Sequence, residues 1–164
     1  MLAVTLPVAG CRETAPEPSS TRPVVEAATN RDTALLTDVR AARHEGFDRV
    51  VFQFRDSLPG YDVRYVRRPI LQDGSGSEVA LDGAFVIRVT MENALDADLS
   101  DESAPATYTG PNRFSPAAGG VVELARVGGF EGVLTWVAGL RNRTAFQVRK
   151  LEGPPRLVVD LANR

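Results

Sequence analysis

Residues 85–91 read FVIRVTM. Phe85, Ile87, Val89 and Met91 occupy alternate positions, a period of two that belongs to a strand with one buried face, where a helix would repeat every 3.6 residues. Working outward, the same period recurs. Phe47–Arg55, FDRVVFQFR, sets Val50, Phe52 and Phe54 on one face. Ala34–Arg43 alternates more weakly around Leu35, Val39 and Ala41, and His44-Glu45-Gly46 between the two runs is a turn signal, so a hairpin is expected. Leu58-Pro59-Gly60 turns the chain into Tyr61–Arg67, with Tyr61, Val63 and Tyr65 together on one face. QDGSGS at 72–77 reads as a long turn or hairpin tip. Beyond Met91 the rhythm breaks: 92–119 is acidic and proline-bearing and is expected to form an irregular loop or lid. Strands resume at Val121–Val127. Phe130–Leu140, FEGVLTWVAGL, is apolar on both faces and is expected to be a central, doubly covered strand. Thr144–Leu151 and Arg156–Leu161 flank Glu152-Gly153-Pro154-Pro155, a second hairpin. About eight mostly antiparallel strands with no helical face point to an all-β fold, a β-sandwich or flattened barrel.

The chain has 164 residues, enough for one domain with a tail. Its formal net charge is −2, which gives no electrostatic reason to expect a nucleic-acid partner. Lys150 is the single lysine among nineteen basic residues. One cysteine, Cys11, and one histidine, His44, cannot supply an internal disulfide or the usual zinc ligands, so neither metal nor cofactor is expected.

Residues 1–11, MLAVTLPVAGC, are too short to cross a bilayer, which takes about 20 apolar residues. They have the length of a signal-peptide core, roughly 7–15 residues. Val8-Ala9-Gly10-Cys11 resembles the lipobox of bacterial lipoproteins, which implies acylation of the Cys11 thiol and cleavage before it. No Lys or Arg precedes Cys11, so this stretch is expected to be a truncated signal peptide whose true start lies upstream. Acyl chains contribute about 0.8 kcal/mol per buried CH₂, enough to hold a protein on a membrane. Residues 12–33 are rich in Pro, Ser and Thr without apolar period, and are expected to be a disordered linker lifting the domain at 34–163 off the membrane.

The strings GFDRVVFQF at 46–54, YDVRYV at 61–66, QDGSG at 72–76, FEGVLTWVAGL at 130–140 and PPRLVVDL at 154–161 resemble, in this order, the AMIN-like domain of actinobacterial lipoproteins. That group is similar to the AMIN domain, the amidase N-terminal module. The closing FQVRKLEGPPRLVVDL at 146–161 is the segment most similar to AMIN domains at large. The resemblance implies a β-sandwich without catalytic residues that directs envelope proteins to peptidoglycan or the division site.

Catalytic chemistry finds little support in the residues. His44 sits in a turn and no G-x-S-x-G elbow exists, so a solvated histidine is expected rather than a triad member. Glu92, Asp96, Asp98, Asp101 and Glu102 do not follow EF-hand spacing and are expected to form a solvated loop. QDGSG lacks the lysine and spacing of a phosphate loop. Tyr61, Tyr65 and Trp136 are expected in the core, whereas Tyr108 and Phe114 lie in the irregular loop and are expected to be exposed. Arg64, Arg67 and Arg68 lie close together, and guanidinium forks suit carboxylates and phosphates. Arg64, Arg68, Tyr108 and Phe114 are therefore the candidate ligand-binding residues, forming a weak anionic-glycan surface. The expected function is a non-enzymatic, lipid-anchored protein on the outer face of the cell membrane, binding cell-wall glycan or peptidoglycan. The alternatives are a protein–protein adaptor using an exposed sheet edge and, behind it, a carboxylate-dependent glycan hydrolase.

Overall fold

The computed structural model describes residues 17–29 and 31–163. Eleven strands make two sheets: β1 (Val24–Glu26), β2 (Ala34–Arg43), β3 (Phe47–Arg55), β4 (Gly60–Val66), β5 (Phe85–Glu92), β6 (Ala94–Leu95), β7 (Arg113–Phe114), β8 (Val121–Phe130), β9 (Val133–Leu140), β10 (Phe146–Leu151) and β11 (Arg156–Ala162). The six-stranded sheet runs β1-β4-β5-β9-β8-β7 and the five-stranded sheet β10-β11-β3-β2-β6. Every pairing is antiparallel except the short parallel contact of β2 with β6.

The period-two reading places most of the core correctly, but Phe85 is 38% exposed, and a bulge between Leu36 and Asp38 puts Leu36 rather than Leu35 on the core face with Val39 and Ala41. Phe52 and Phe54 on β3, Leu157 and Val159 on β11, Ile87, Val89 and Met91 on β5, and Leu134 and Trp136 on β9 all point between the sheets. Trp136 is fully buried, with Phe52 and Tyr108 edge-on to it at 6.2 and 5.8 Å between ring centroids. Each such large side chain contributes about 1.5–3 kcal/mol by leaving water. The two expected hairpins form: β2 and β3 join through His44–Gly46, and β10 and β11 through Glu152–Pro155. β9 is central, hydrogen-bonded to both β5 and β8.

Four further expectations are corrected. The run 130–140 is not one strand. Glu131 and Gly132 adopt φ of 50° and 77°, the signature of a two-residue type I′ turn, so Phe130 ends β8 and Val133 begins β9. Secondly, 92–119 is not wholly irregular: β6, β7 and an Ala97–Ala106 bridge tie it down, and Tyr108 is 7% exposed. Its hydroxyl donates to the Pro111 carbonyl at 2.8 Å, which lets a loop tyrosine enter the core with its polar end satisfied. Thirdly, Phe114 is half-buried against the same core. Finally, within the stretch 12–33, Val24–Glu26 pairs along the edge of β4, and Glu26 takes a hydrogen bond from Tyr61 Oη at 2.9 Å and an ion pair from Lys150. Two β-branched valines on an open strand edge supply the hydrogen bonds that composition does not reveal. Cys11 and the rest of 1–16 lie outside the described residues.

Residues 67–84, between β4 and β5, leave the six-stranded sheet and fold back over its outer face. Ile70, Val79 and Leu81 pack there on Val66, Val86, Ala125, Val127 and Val137, a second and smaller core. The excursion is a small hairpin of its own, with Val79 N–H donating to the Ile70 carbonyl at 2.7 Å and Gln72 N–H to Ser77 at 2.8 Å. The QDGSG motif is its tip.

Candidate functional site

Because side chains alternate along β4 and β5, the residues between the core positions project from the outer face of the six-stranded sheet. Arg64 on β4 stands opposite Arg88 on β5, and Thr90 on β5 opposite Thr135 on β9. The excursion covers part of this face and leaves a groove of about 480 Å³ beside it. Val66, Val127 and Val137 make its apolar floor, Thr90 and Thr135 contribute hydroxyls, and Arg67, Arg88 and Asp73 supply charge. Arg67 and Arg88 are exposed and form no ion pair or hydrogen bond with a described residue. A shallow, mixed groove with a few unsatisfied polar groups is the form that small-ligand and glycan sites take.

The four candidate residues are not brought together. Arg64 is held by Asp62 through Nε to Oδ1 at 2.6 Å and a second contact, and this carboxylate raises the arginine pKa above its usual value. It remains about a third exposed, beside Arg88. Arg68 is spent on structure: its Nη2 donates to the carbonyls of Leu81 at 2.6 Å and Gly83 at 2.7 Å, closing the neck of the excursion. Tyr108 is in the core, and Phe114 lies on β7, four strands from β4. At about 4.8 Å per strand that is roughly 19 Å across the sheet. The residues that line the groove in their place were present in the sequence as the polar alternates of 85–91 and as the unused neighbour of Arg68. The hairpin tip at 72–77 was legible as well; its folding back over this face, which turns the face into a groove, was not.

The floor beside the hairpin tip depends on glycine. A Cβ on Gly128 would lie 1.7 Å from Asp73 Oδ2, and one on Gly129 would lie 1.9 Å from Arg126 Nη2. Both charged side chains therefore lie flat on bare β8 backbone. Asp73 is fixed in this position by its own N–H, which donates to the Val127 carbonyl at 2.8 Å.

The acidic side chains are engaged elsewhere. Asp48 is buried, which alone would raise its pKa. Hydrogen bonds from Asn163 and from the N–H groups of Gly119, Val121 and Gly120 outweigh that and hold it below the usual carboxylate range. Asp160 is shifted down against its own burial by Arg49 and Arg149. Glu123 is shifted down chiefly by Arg113. Asp98 is lowered to about 2 by the Ser100 hydroxyl and then Arg55, and Asp101 is lowered by Ser103. Every described carboxyl group with a displaced pKa is displaced downward. No group of three or more potential metal ligands occurs among the described residues. His44 is exposed and stacks on Phe47 at 5.0 Å.

The fold is a two-sheet β-sandwich with a polar groove on the outer face of the six-stranded sheet. The family model for the AMIN-like domain matches residues 34–163, and the chain belongs to that family. Neither the curated proteins nor the solved structures contain a match to it. Membership assigns the protein to the extracytoplasmic cell envelope, with a general association with the cell wall, and to domains that typically bind rather than catalyse.

Proposed function

We propose that this domain is a non-enzymatic receptor for anionic cell-wall glycan or peptidoglycan, and that the groove beneath the 67–84 hairpin is where it binds. The observation that carries this is the pair Arg67 and Arg88, two exposed guanidinium groups without partners on the rim of a groove floored by valine and threonine. Such forks pair with carboxylates or phosphates through two parallel hydrogen bonds, and the threonine hydroxyls suit sugar hydroxyls. Arg64, adjoining Arg88 across the strands, is already engaged by the Asp62 carboxylate and is not a main contact. The six described carboxyl groups with a displaced pKa are all displaced downward, the opposite of the protonated acid that glycan hydrolysis needs near neutrality. Strand addition to a partner protein has little edge to use. β7 and β6 are two residues long, β1 is three, and β10 already meets Ser20 and the Lys150–Glu26 ion pair. Acylation of Cys11 would hold the receptor on the outer face of the cell membrane.

The test is co-sedimentation of the protein with purified sacculi. Binding should saturate, weaken with salt, and fall at least tenfold when Arg67 and Arg88 are both changed to Ala. Pelleting unchanged by that double substitution would overturn the groove assignment. Membrane fractionation with and without Cys11→Ser tests the anchor, and equal solubility of the two forms would remove it.

A further inference from the structure

Asp73 belongs to two hollows. On one side it borders the groove just described, and on the other a second hollow of about 420 Å³ where Gln72, Asn112, Arg126 and Phe130 meet. Phe130, at the end of β8, is 72% exposed, the most exposed of the large apolar side chains described. A single exposed phenylalanine needs no explanation on its own. Here it stands beside three polar side chains, those of Gln72, Asp73 and Asn112, none of which has a hydrogen-bond or ion-pair partner among the described residues. The positions are held by the backbone: Asp73 N–H donates to Val127, and Arg126 N–H donates to the Asn112 carbonyl at 2.8 Å. The hairpin tip and the loop before β7, each hydrogen-bonded to β8, thus bring two amides and a carboxylate to the aromatic face of Phe130.

We propose that this second hollow is a sugar subsite continuous with the groove, in which the Phe130 ring carries the C–H face of a neutral pyranose and Gln72, Asp73 and Asn112 take its hydroxyl and amide groups. Charge sets the preference for a neutral ring. Asp73 repels an anion, and Arg126, the one cation in the hollow, is already paired with Asp96. The neighbouring groove, with free Arg67 and Arg88, has the opposite preference. The ligand class is then a linear glycan whose neutral ring lies beside a unit bearing carboxylate or phosphate. This inference rests on the groove being a glycan site and extends it by one unit along the chain.

The experiment is titration of the ¹⁵N-labelled protein with a neutral β-linked N-acetylglucosamine tetramer, followed by NMR. Saturable shifts are expected at the amides of Gln72, Asn112 and Phe130. Phe130→Ala, at the exposed end of β8, should weaken binding at least tenfold, as should Asn112→Ala. No saturable shift at these amides, or shifts indifferent to Phe130→Ala, would overturn the subsite. Sacculus pelleting lost with the double arginine variant but no tetramer response at Phe130 would overturn the subsite and leave the groove standing. A tetramer response with arginine-independent pelleting would do the reverse.

Discussion

Arg49 and Asp160 meet fork to fork on the outer face of the five-stranded sheet, Nε to Oδ1 at 2.7 Å and Nη2 to Oδ2 at 2.9 Å. They are cross-strand neighbours on β3 and β11, and Arg149 from β10 adds a third hydrogen bond to Oδ2 at 2.8 Å. Asp160 is 1% exposed, while the two arginines keep about a quarter of their side chains in water. Removing one partner of a buried pair costs about 3–5 kcal/mol. Because both arginines can reach solvent, Asp160→Ala should cost about 3 kcal/mol, the low end of that range. Urea unfolding measures this, and a loss below about 1 kcal/mol would mean the triad does not hold the three strands together.

Acid should unfold the protein through its buried aspartates. Asp48 accepts hydrogen bonds from Gly119, Gly120 and Val121 N–H and from Asn163 Nδ2, and its pKa is lowered, as is that of Asp160. A depressed folded pKa contributes stability that is fully present above the unfolded value, about 4, and is lost as pH falls through the folded value. The melting temperature should therefore be nearly flat from pH 7 to about 5 and drop below about 4. Asp48→Asn should melt lower at pH 7 and show a shallower drop in acid. An acid slope identical to that of the wild type would exclude Asp48 as a contributor.

The β8–β9 turn carries a correctable imperfection. Type I′ geometry favours Asn-Gly, but Glu131 occupies the first position at φ 50°. A non-glycine residue there costs about 1–2 kcal/mol, and asparagine relieves part of it. Glu131→Asn should stabilise by about 0.5 kcal/mol and raise the melting temperature by about 1–2 °C. Gly132→Val, at φ 77°, should cost roughly 1–2 kcal/mol. Thermal melts of the two variants moving in the same direction would contradict the turn assignment.

Tyr108 should matter for stability alone. Tyr108→Phe loses the hydrogen bond to Pro111 and about 1 kcal/mol. Tyr108→Ala also empties space against Trp136 and should cost about 3 kcal/mol or more. Sacculus binding by the folded fraction should be unchanged in both, and a selective loss of binding with Tyr108→Phe would restore Tyr108 to the ligand surface.

The alternations at 47–54, 61–65 and 87–91 identify core side chains because a strand buried on one face imposes its period on the residues that must leave water, whereas Phe85, at the strand's end, stays exposed. Turn chemistry placed the β2–β3 and β10–β11 hairpins for the same local reason. FEGVL at 130–134 was misread because apolar residues on both sides of Glu131-Gly132 mask a two-residue turn, and a glutamate is an unusual first residue for it. Tyr108 was misplaced because loop composition describes solvent exposure on average, and a single hydrogen bond to Pro111 suffices to carry one tyrosine inward.

The all-β class and the facing of most long strands thus follow from local pattern, since period and turn geometry act over a few residues; the number of strands does not, being eleven where about eight are expected. Family membership was legible in the order of five such segments, the resemblance that the match over 34–163 bears out. Which arginines are free was decided only in three dimensions. Arg67 and Arg68 are neighbours in the chain, yet Arg68 clamps the carbonyls of Leu81 and Gly83 while Arg67 borders the groove. That difference arises from where residues 67–84 fold back onto the sheet, because Ile70, Val79 and Leu81 are buried against side chains that β5, β8 and β9 bring together from distant parts of the chain.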